Sequence, residues 1–337
     1  MIIDVHGHYT TAPAALDAYR GRMLARLNKP ARARLALPAE AVAASLERYV
    51  AQMDARGIDL VLLSPRASGM GHEIGGEAVS RAWTEVCNDA VAAAVAAFPD
   101  RFVGVCQLPQ SPGVSPAGCV EELRRCVDEL GFVGFLVNPD VSGGLPPLTP
   151  SLGDQWWDPL WETAVELRVP GMIHASATRH PAFHLNGSHY IAQHYAATVE
   201  ICGSDLLTSR FPELALIVPH GGGGVPTNMN RHRALHITER REPFDDAVRR
   251  LYFDTAVYDP DTLLTMIDTV GADRFLFGSE MFGTANVVDP RTGTAFDDIA
   301  PALLPRLPAA AADAVSHANA LRVFPRLAAA LAARSTS

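Results

Sequence analysis

Short runs of branched and aromatic residues recur along the chain with helix-like stretches between them. Eight such runs read as strands: Ile2–His6, Asp59–Pro65, Arg101–Pro109, Phe132–Pro139, Pro170–Ser176, Leu214–His220, Leu251–Val257 and Arg274–Glu280. Each is continuously apolar rather than alternating, as parallel strands covered on both faces are. Glu40–Arg56, Val79–Phe98, Pro116–Leu130, Asp158–Leu167 and Asp261–Thr269 read as helices. The alternation predicts an α/β fold, a (β/α)8 TIM barrel spanning residues 1–337 as one domain. A doubly wound sheet would need a glycine-rich phosphate turn after its first strand, and none stands there. Two connections, Tyr9–Pro38 and Thr178–Arg210, exceed ordinary βα loops and read as lids or binding loops.

At 337 residues and 48% apolar content the chain can bury a large core. No stretch is long and apolar enough to span a bilayer and no signal-peptide pattern opens the chain, so the expected address is the cytoplasm. A net charge of −9 without a Lys/Arg cluster argues against nucleic acid as a partner. The five cysteines, Cys87, Cys106, Cys119, Cys126 and Cys202, show no CxxC spacing and read as small buried hydrophobes. The only lysine is Lys29, in a Pro/Arg-rich stretch far from any strand end. Schiff-base and pyridoxal phosphate chemistry, which need a placed lysine, are thereby disfavoured.

The first strand ends in His6-Gly7-His8. Side chains two apart on a strand share a face, so these imidazoles can converge on one point. In a barrel the active site lies at the C-terminal strand ends, and further polar residues collect there: His174 in "GMIHAS", His220 in "LIVPHGGGG" and Glu280 in "FLFGSEMFG". Any one of them could be a strand-end group hydrogen-bonded to a neighbouring loop. Four histidines and a carboxylate at five such positions suit zinc, with other divalent metals open because ligand type alone does not fix identity.

With these residues in place, the chain resembles the amidohydrolase superfamily, in the branch of aminocarboxymuconate-semialdehyde decarboxylase and its related decarboxylases and hydratases. The resemblance to the 4-oxalomesaconate hydratases is carried by "DVHGHYTTAP", "SPRAS", "LPQSPGV", "NPD", "GSHY", "PHGGG", "FDT", "SEM" and "DPRTG", and runs to the C-terminal "RVFPRL". It implies a hydro-lyase that adds water to the C=C bond of an unsaturated oxo-polycarboxylate in aromatic-compound catabolism, converting 4-oxalomesaconate to 4-carboxy-4-hydroxy-2-oxoadipate. It also implies one Zn2+ per chain on His6, His8, His174 and Glu280, and a homodimer. Relatives usually carry aspartate where Glu280 stands; a glutamate reaches one methylene further and can touch the metal while turning an oxygen to the attacking water. The fourth strand ends at Asn138 rather than at the lysine of two-metal relatives, which favours one ion.

His220 and Tyr190 are then the expected acid/base partners of Glu280, His220 as proton shuttle or hydrogen-bond donor and Tyr190 as donor of a proton to carbon. The alternative for each is packing or pinning a loop, and the glycines after His220 would let backbone approach a ligand. Arg66, Arg231 and Arg291 are candidate carboxylate forks, Arg66 foremost because a strand end fixes it, with Asn138 and His189 beside them. The irregularly spaced His180, His184, His189 and His194 read as lid polarity rather than a second metal site. The expected partner is a small di- or tricarboxylate substrate, with no nucleic acid and no membrane. A decarboxylase of the same branch is the alternative, an amide or lactone hydrolase a further one, and a non-catalytic binding protein would have broken metal ligands.

Overall fold

Each of the eight apolar runs becomes a barrel strand. The computed structural model describes residues 1–27, 35–142, 146–176 and 188–335; Lys29, His180 and His184 lie outside them. The strands are β1 (Ile3–His8), β2 (Leu60–Ser64), β3 (Phe102–Gly104), β4 (Cys106–Gln107), β5 (Phe135–Val137), β6 (Gly171–Ile173), β7 (Leu216–Val218), β8 (Tyr252–Asp254) and β9 (Phe275–Leu276). All pair in parallel in chain order, β1-β2-β3 and β4 through β9. β3 and β4 are two halves of the third barrel position, joined at Val105, whose N–H donates to Leu63 O at 2.9 Å. The ring closes where Val5 N–H donates to Phe277 O, also at 2.9 Å. The fold is the expected (β/α)8 barrel.

Alternation along the strands sorts the residues. Ile3, Val5, Leu60, Leu62, Val103, Val105, Leu136, Met172, Ile217 and Leu276 pack together as the lumen. Phe102, Phe135, Val137, Ile173, Val218, Phe253 and Phe275, at the intervening positions, pack against the helices. Val323, Phe324 and Leu327 of the C-terminal "RVFPRL" join the lumen cluster beneath the strand starts, which gives that motif a place in the core. Two residues beyond the apolar layer, the inward positions become Ser64, Asn138, His174, Asp254 and Gly278, so strand periodicity itself delivers a polar layer to the C-terminal mouth.

The first strand departs from that alternation. Ile3 and Val5 face the lumen, so strict alternation would turn His6 and His8 out toward the helices. The register with β2 slips instead: Asp4 pairs with Val61 but Gly7 with Leu63 and His8 with Ser64, one extra residue on β1. This bulge rotates both histidines into the lumen, a re-aiming for which bulges beside active sites are known. The buried Asp4 carboxyl accepts His6 N–H at 3.0 Å and ties Ser279 through its N–H (3.1 Å) and Oγ (2.5 Å). Burial raises the Asp4 carboxyl to about 6, against the lowering effect of the Ser279 and His6 hydrogen bonds.

Both long connections contain helices where loops are expected. Ala14–Leu24 lies within the first, and Ser188–Gly203 within the second. The latter buries a helical stripe, His189, Gln193, His194, Ala197, Thr198, Ile201 and Cys202. Its N-terminal half is polar, which hides the apolar period by which a helix is recognised. The five cysteines are free and buried, as expected. Among the described residues no helix is long and apolar enough to cross a membrane.

Candidate metal centre and active site

His6, His8, His174 and Glu280 meet at the mouth of the lumen, with one ligand atom of each within 4.8 Å of the others. The three imidazoles point Nε2 inward, at 3.2 Å for His6–His8, 3.2 Å for His8–His174 and 3.1 Å for His174–His6. Each Nδ1 is turned outward to a fixed partner: Asp254 Oδ2 for His6 (2.6 Å), Ser64 Oγ for His8 (2.7 Å) and Ala175 O for His174 (2.8 Å). A carbonyl only accepts, so His174 Nδ1 carries the proton. Ser64 Oγ donates its own proton to Gly7 O at 3.0 Å and must accept from His8 Nδ1–H. Asp254 takes the proton of His6 Nδ1 in the same way.

With all three rings neutral, the consequence is three inward Nε2 lone pairs with no hydrogen among them. Such an arrangement is repulsive unless a cation occupies its focus. Three nitrogens about 2.05 Å from one tetrahedral ion stand about 3.3 Å apart, close to the separations here. Outward Nδ1 hydrogen bonds that fix the tautomer are the usual support of metal-bound histidines. Burial, reinforced by neighbouring imidazoles, holds His8 and His174 well below the ordinary histidine value, hence neutral, as ligands must be. His6 is also pressed down by burial, but Asp254 outweighs this and raises it. The residues present therefore fit a divalent ion.

Glu280 follows β9 in a left-handed conformation (φ 50°), and its N–H donates to His6 O at 2.9 Å, which stitches the ninth strand's end to the first. Gly278 precedes it where a Cβ would stand 3.0 Å from both His6 Cβ and Asp254 Cβ, so glycine is what lets these three strand ends converge. Burial pushes the Glu280 carboxyl up, but His220, His6, His174 and a hydrogen bond from Tyr258 outweigh it and hold it below the ordinary glutamate value. It is an ionised carboxylate. The Tyr258 hydroxyl donates to Glu280 Oε2 at 2.5 Å. Burial first, then the charge of Glu280, pushes the phenol well above its ordinary value, so it remains a donor.

His220 stands beside the cluster, its ring centroid 5.4 Å from His6 and 5.9 Å from His174. Its Nδ1 donates to Ala256 O at 3.0 Å, which leaves Nε2 as an acceptor. The glycines after it have a structural purpose that differs from ligand approach. His220 and Gly221–Gly224 all have φ between 54° and 86°, a single left-handed turn that side chains with a Cβ resist. At Gly223 a Cβ would lie 2.4 Å from Tyr195 N and 2.6 Å from Ile191 O, so the turn also packs directly on the Ser188–Gly203 helix.

Three further residues complete the picture, and sequence reasoning missed them. Asp254 accepts His6 Nδ1–H, His220 N–H (2.7 Å) and Ala256 N–H (3.2 Å), so one carboxylate anchors two site histidines. Its only signal was a carboxylate at a strand end in "FDT". Tyr258 had no signal beyond its closeness to that motif. His194 is fully buried rather than part of a lid; its Nε2 accepts Ala175 N–H at 3.0 Å, and its ring stacks on His220 at 5.1 Å. The Ala175 peptide is thus held on both sides, by His194 at its own N–H and by His174 at its carbonyl.

Among the expected substrate groups, Arg66 is exposed at the mouth. Burial raises the Tyr190 phenol, Arg66 lowers it and Glu280 raises it, so the two charges flank this tyrosine at electrostatic range. His189 packs on the Tyr190 ring at 4.0 Å. Asn138 is buried and braces loops: Nδ2 donates to Ser176 Oγ (2.9 Å), Oδ1 accepts Asp140 N–H (2.9 Å), and its own N–H donates to Gln110 Oε1 (2.7 Å). Arg231 is exposed on a helix lining a surface hollow with Pro226, Asn228 and Arg233. Arg291 folds back on Asp289 at 2.8 Å with its side chain 80% exposed.

The sequence pattern of the Amidohydrolase family matches residues 3–326. The chain belongs to that family. The amidohydrolase is 38% identical to 2-keto-4-carboxy-3-hexenedioate hydratase of Sphingobium sp. (strain NBRC 103272 / SYK-6), over 99% of both chains. It is similar to the crystal structure of 4-oxalomesaconate hydratase from Rhodopseudomonas palustris, with TM-score 0.90 and 38% identity over 100% of this chain and 99% of that one. A dihydroxybenzoic acid decarboxylase from Polaromonas sp. JS666, solved with bound manganese and 2-nitroresorcinol, superposes with TM-score 0.72 and 26% identity over 96% of each chain.

Proposed function

We propose that this amidohydrolase is a zinc-dependent hydratase adding water to the C=C bond of 4-oxalomesaconate in its 2-keto-4-carboxy-3-hexenedioate form, the double-bond isomer whose alkene is conjugated with the ketone. The observation that carries the reading is the end-to-end similarity to two hydratases of this substrate. The ionised Glu280 among the metal-ligand atoms supports it. Bound at His6, His8, His174 and Glu280, a divalent cation acidifies water and polarises a substrate oxygen.

The remaining work falls to the chain's own groups. The Glu280 carboxylate takes a proton from the attacking water, and His220 Nε2 accepts a hydrogen bond from it. The water oxygen bonds to the alkene carbon β to the ketone, and the π pair moves through the enone onto the keto oxygen. Arg66 binds a substrate carboxylate and stabilises the enolate, and Tyr190 returns a proton to the α carbon. His189 orients Tyr190, and Asn138 holds the adjoining loops. Arg231 and Arg291 serve as carboxylate forks only if their segments move toward the mouth. The reading carries a homodimer in the cytoplasm, checked by sedimentation and cell fractionation.

Incubating the purified protein with 2-keto-4-carboxy-3-hexenedioate should remove the enone absorbance and give a product heavier by one water. Release of CO2 instead would replace the hydratase with the decarboxylase reading, which the manganese-containing neighbour represents. Elemental analysis should find one divalent ion per chain, zinc on this reading, and none in fully active enzyme would end it. Arg66→Ala should raise KM and lower kcat/KM by about 10–100-fold, since a hydrogen bond to a charged group is worth about 1.5–3 kcal/mol. Unchanged kinetics would move carboxylate recognition to Arg231 or Arg291.

A further inference from the structure

Four of the six described non-glycine residues with positive φ border the active site: His220 (54°), Tyr258 (66°), Glu280 (50°) and Phe282 (65°). Bulky residues resist this conformation, and where it persists the surroundings impose it. Two of the four meet directly, Tyr258 donating its phenolic proton to Glu280 Oε2 at 2.5 Å. The segments that carry them are cross-linked just below: Thr255 Oγ1 donates to Gly278 O at 2.9 Å and accepts Gly278 N–H at 3.0 Å. The distance between phenol and carboxylate is therefore built into the barrel, not left to side-chain freedom.

We propose that Tyr258 is a positioning residue for Glu280, its hydroxyl holding one carboxylate oxygen so that the other alone serves the histidine cluster and the attacking water. The inference rests on the hydration reading above and gives the extra methylene of Glu280 a purpose. Glutamate spans from the end of β9 to both Tyr258 and the Nε2 atoms; an aspartate, drawn back by about 1.5 Å, would have to give up one of them. Tethering matters because a base displaced by an ångström loses much of its rate.

Tyr258→Phe removes one oxygen and keeps the ring. It should retain its metal and lower kcat about tenfold, with KM changed less than about threefold, because an oriented base acts on turnover rather than binding. Its crystal structure should show Glu280 rotated or in two rotamers. In the Glu280→Asp background the same substitution should cost less than about twofold, since the shortened carboxylate no longer meets the phenol. Equal losses in both backgrounds, an unmoved Glu280, wild-type turnover, or a Tyr258→Phe protein that fails to fold would each overturn the proposal. The Glu280 rotamer is read without any substrate. If the protein fails to hydrate 4-oxalomesaconate yet Glu280 moves in the variant, the hydration reading falls and the positioning role stands.

Discussion

Glu280→Gln should keep part of its metal and lose nearly all turnover. An amide oxygen still coordinates but cannot accept a proton, and general-base catalysis is worth roughly 10²–10⁴-fold, so kcat should fall by about 10³-fold. The structure adds a second loss. Tyr258 donates to the carboxylate, and an amide that keeps its oxygen on the phenol turns its NH2, which cannot coordinate, toward the histidine cluster. Glu280→Asp keeps charge and basicity but retracts the group, and about a hundredfold loss with metal retained is expected. Steady-state kinetics beside elemental analysis separates the two effects. If Glu280→Gln turns over at the wild-type rate, His220 is the base; if Glu280→Asp does, the extra methylene has no catalytic purpose.

The barrel was legible because its strands are buried on both faces and read as unbroken apolar runs. The strand-end histidines were legible for a related reason, since a polar residue directly after such a run has few places to point except the mouth. What the pattern could not reveal is the bulge in β1. Nothing in "IIDVHGHY" says that an extra residue intervenes between Asp4 and Gly7, and without it the two histidines would face the helices. The Ser188–Gly203 helix escaped for the opposite reason. Its buried stripe is present but begins with His189, Gln193 and His194, polar because that end borders the active site. Asp254 was in plain view but silent, because a carboxylate that anchors histidines has no spacing of its own. Its role appears only when the ends of β1, β7 and β8 are brought together in space.

Metal binding should be lost through two residues that fail in different ways. His174→Ala deletes a ligand, so dialysed protein should hold almost no metal and show no measurable turnover. Its metal-free form should melt at or above the wild-type metal-free temperature, because one of three mutually repelling lone pairs is gone; only the stabilisation by bound metal disappears. Unfolding of that variant would show that His174 serves the core instead. Asp254→Asn leaves every ligand in place and acts on a tautomer. Asp254 Oδ1 accepts the N–H groups of His220 and Ala256 while Oδ2 accepts His6 Nδ1–H. An asparagine that keeps its oxygen on the two backbone donors presents NH2 to His6 Nδ1. His6 must then move its proton to Nε2, where it occupies the lone pair that would hold the ion. Loss of such an anchor typically weakens metal binding about 10–100-fold, and an enforced wrong tautomer places Asp254→Asn at the upper end of that range. Competition with a chelator measures the affinity, and the ring 15N shifts of His6 in the metal-free variant report which nitrogen carries the proton. Wild-type affinity in Asp254→Asn, or His6 still protonated at Nδ1, would show that the tautomer is set by something other than this carboxylate.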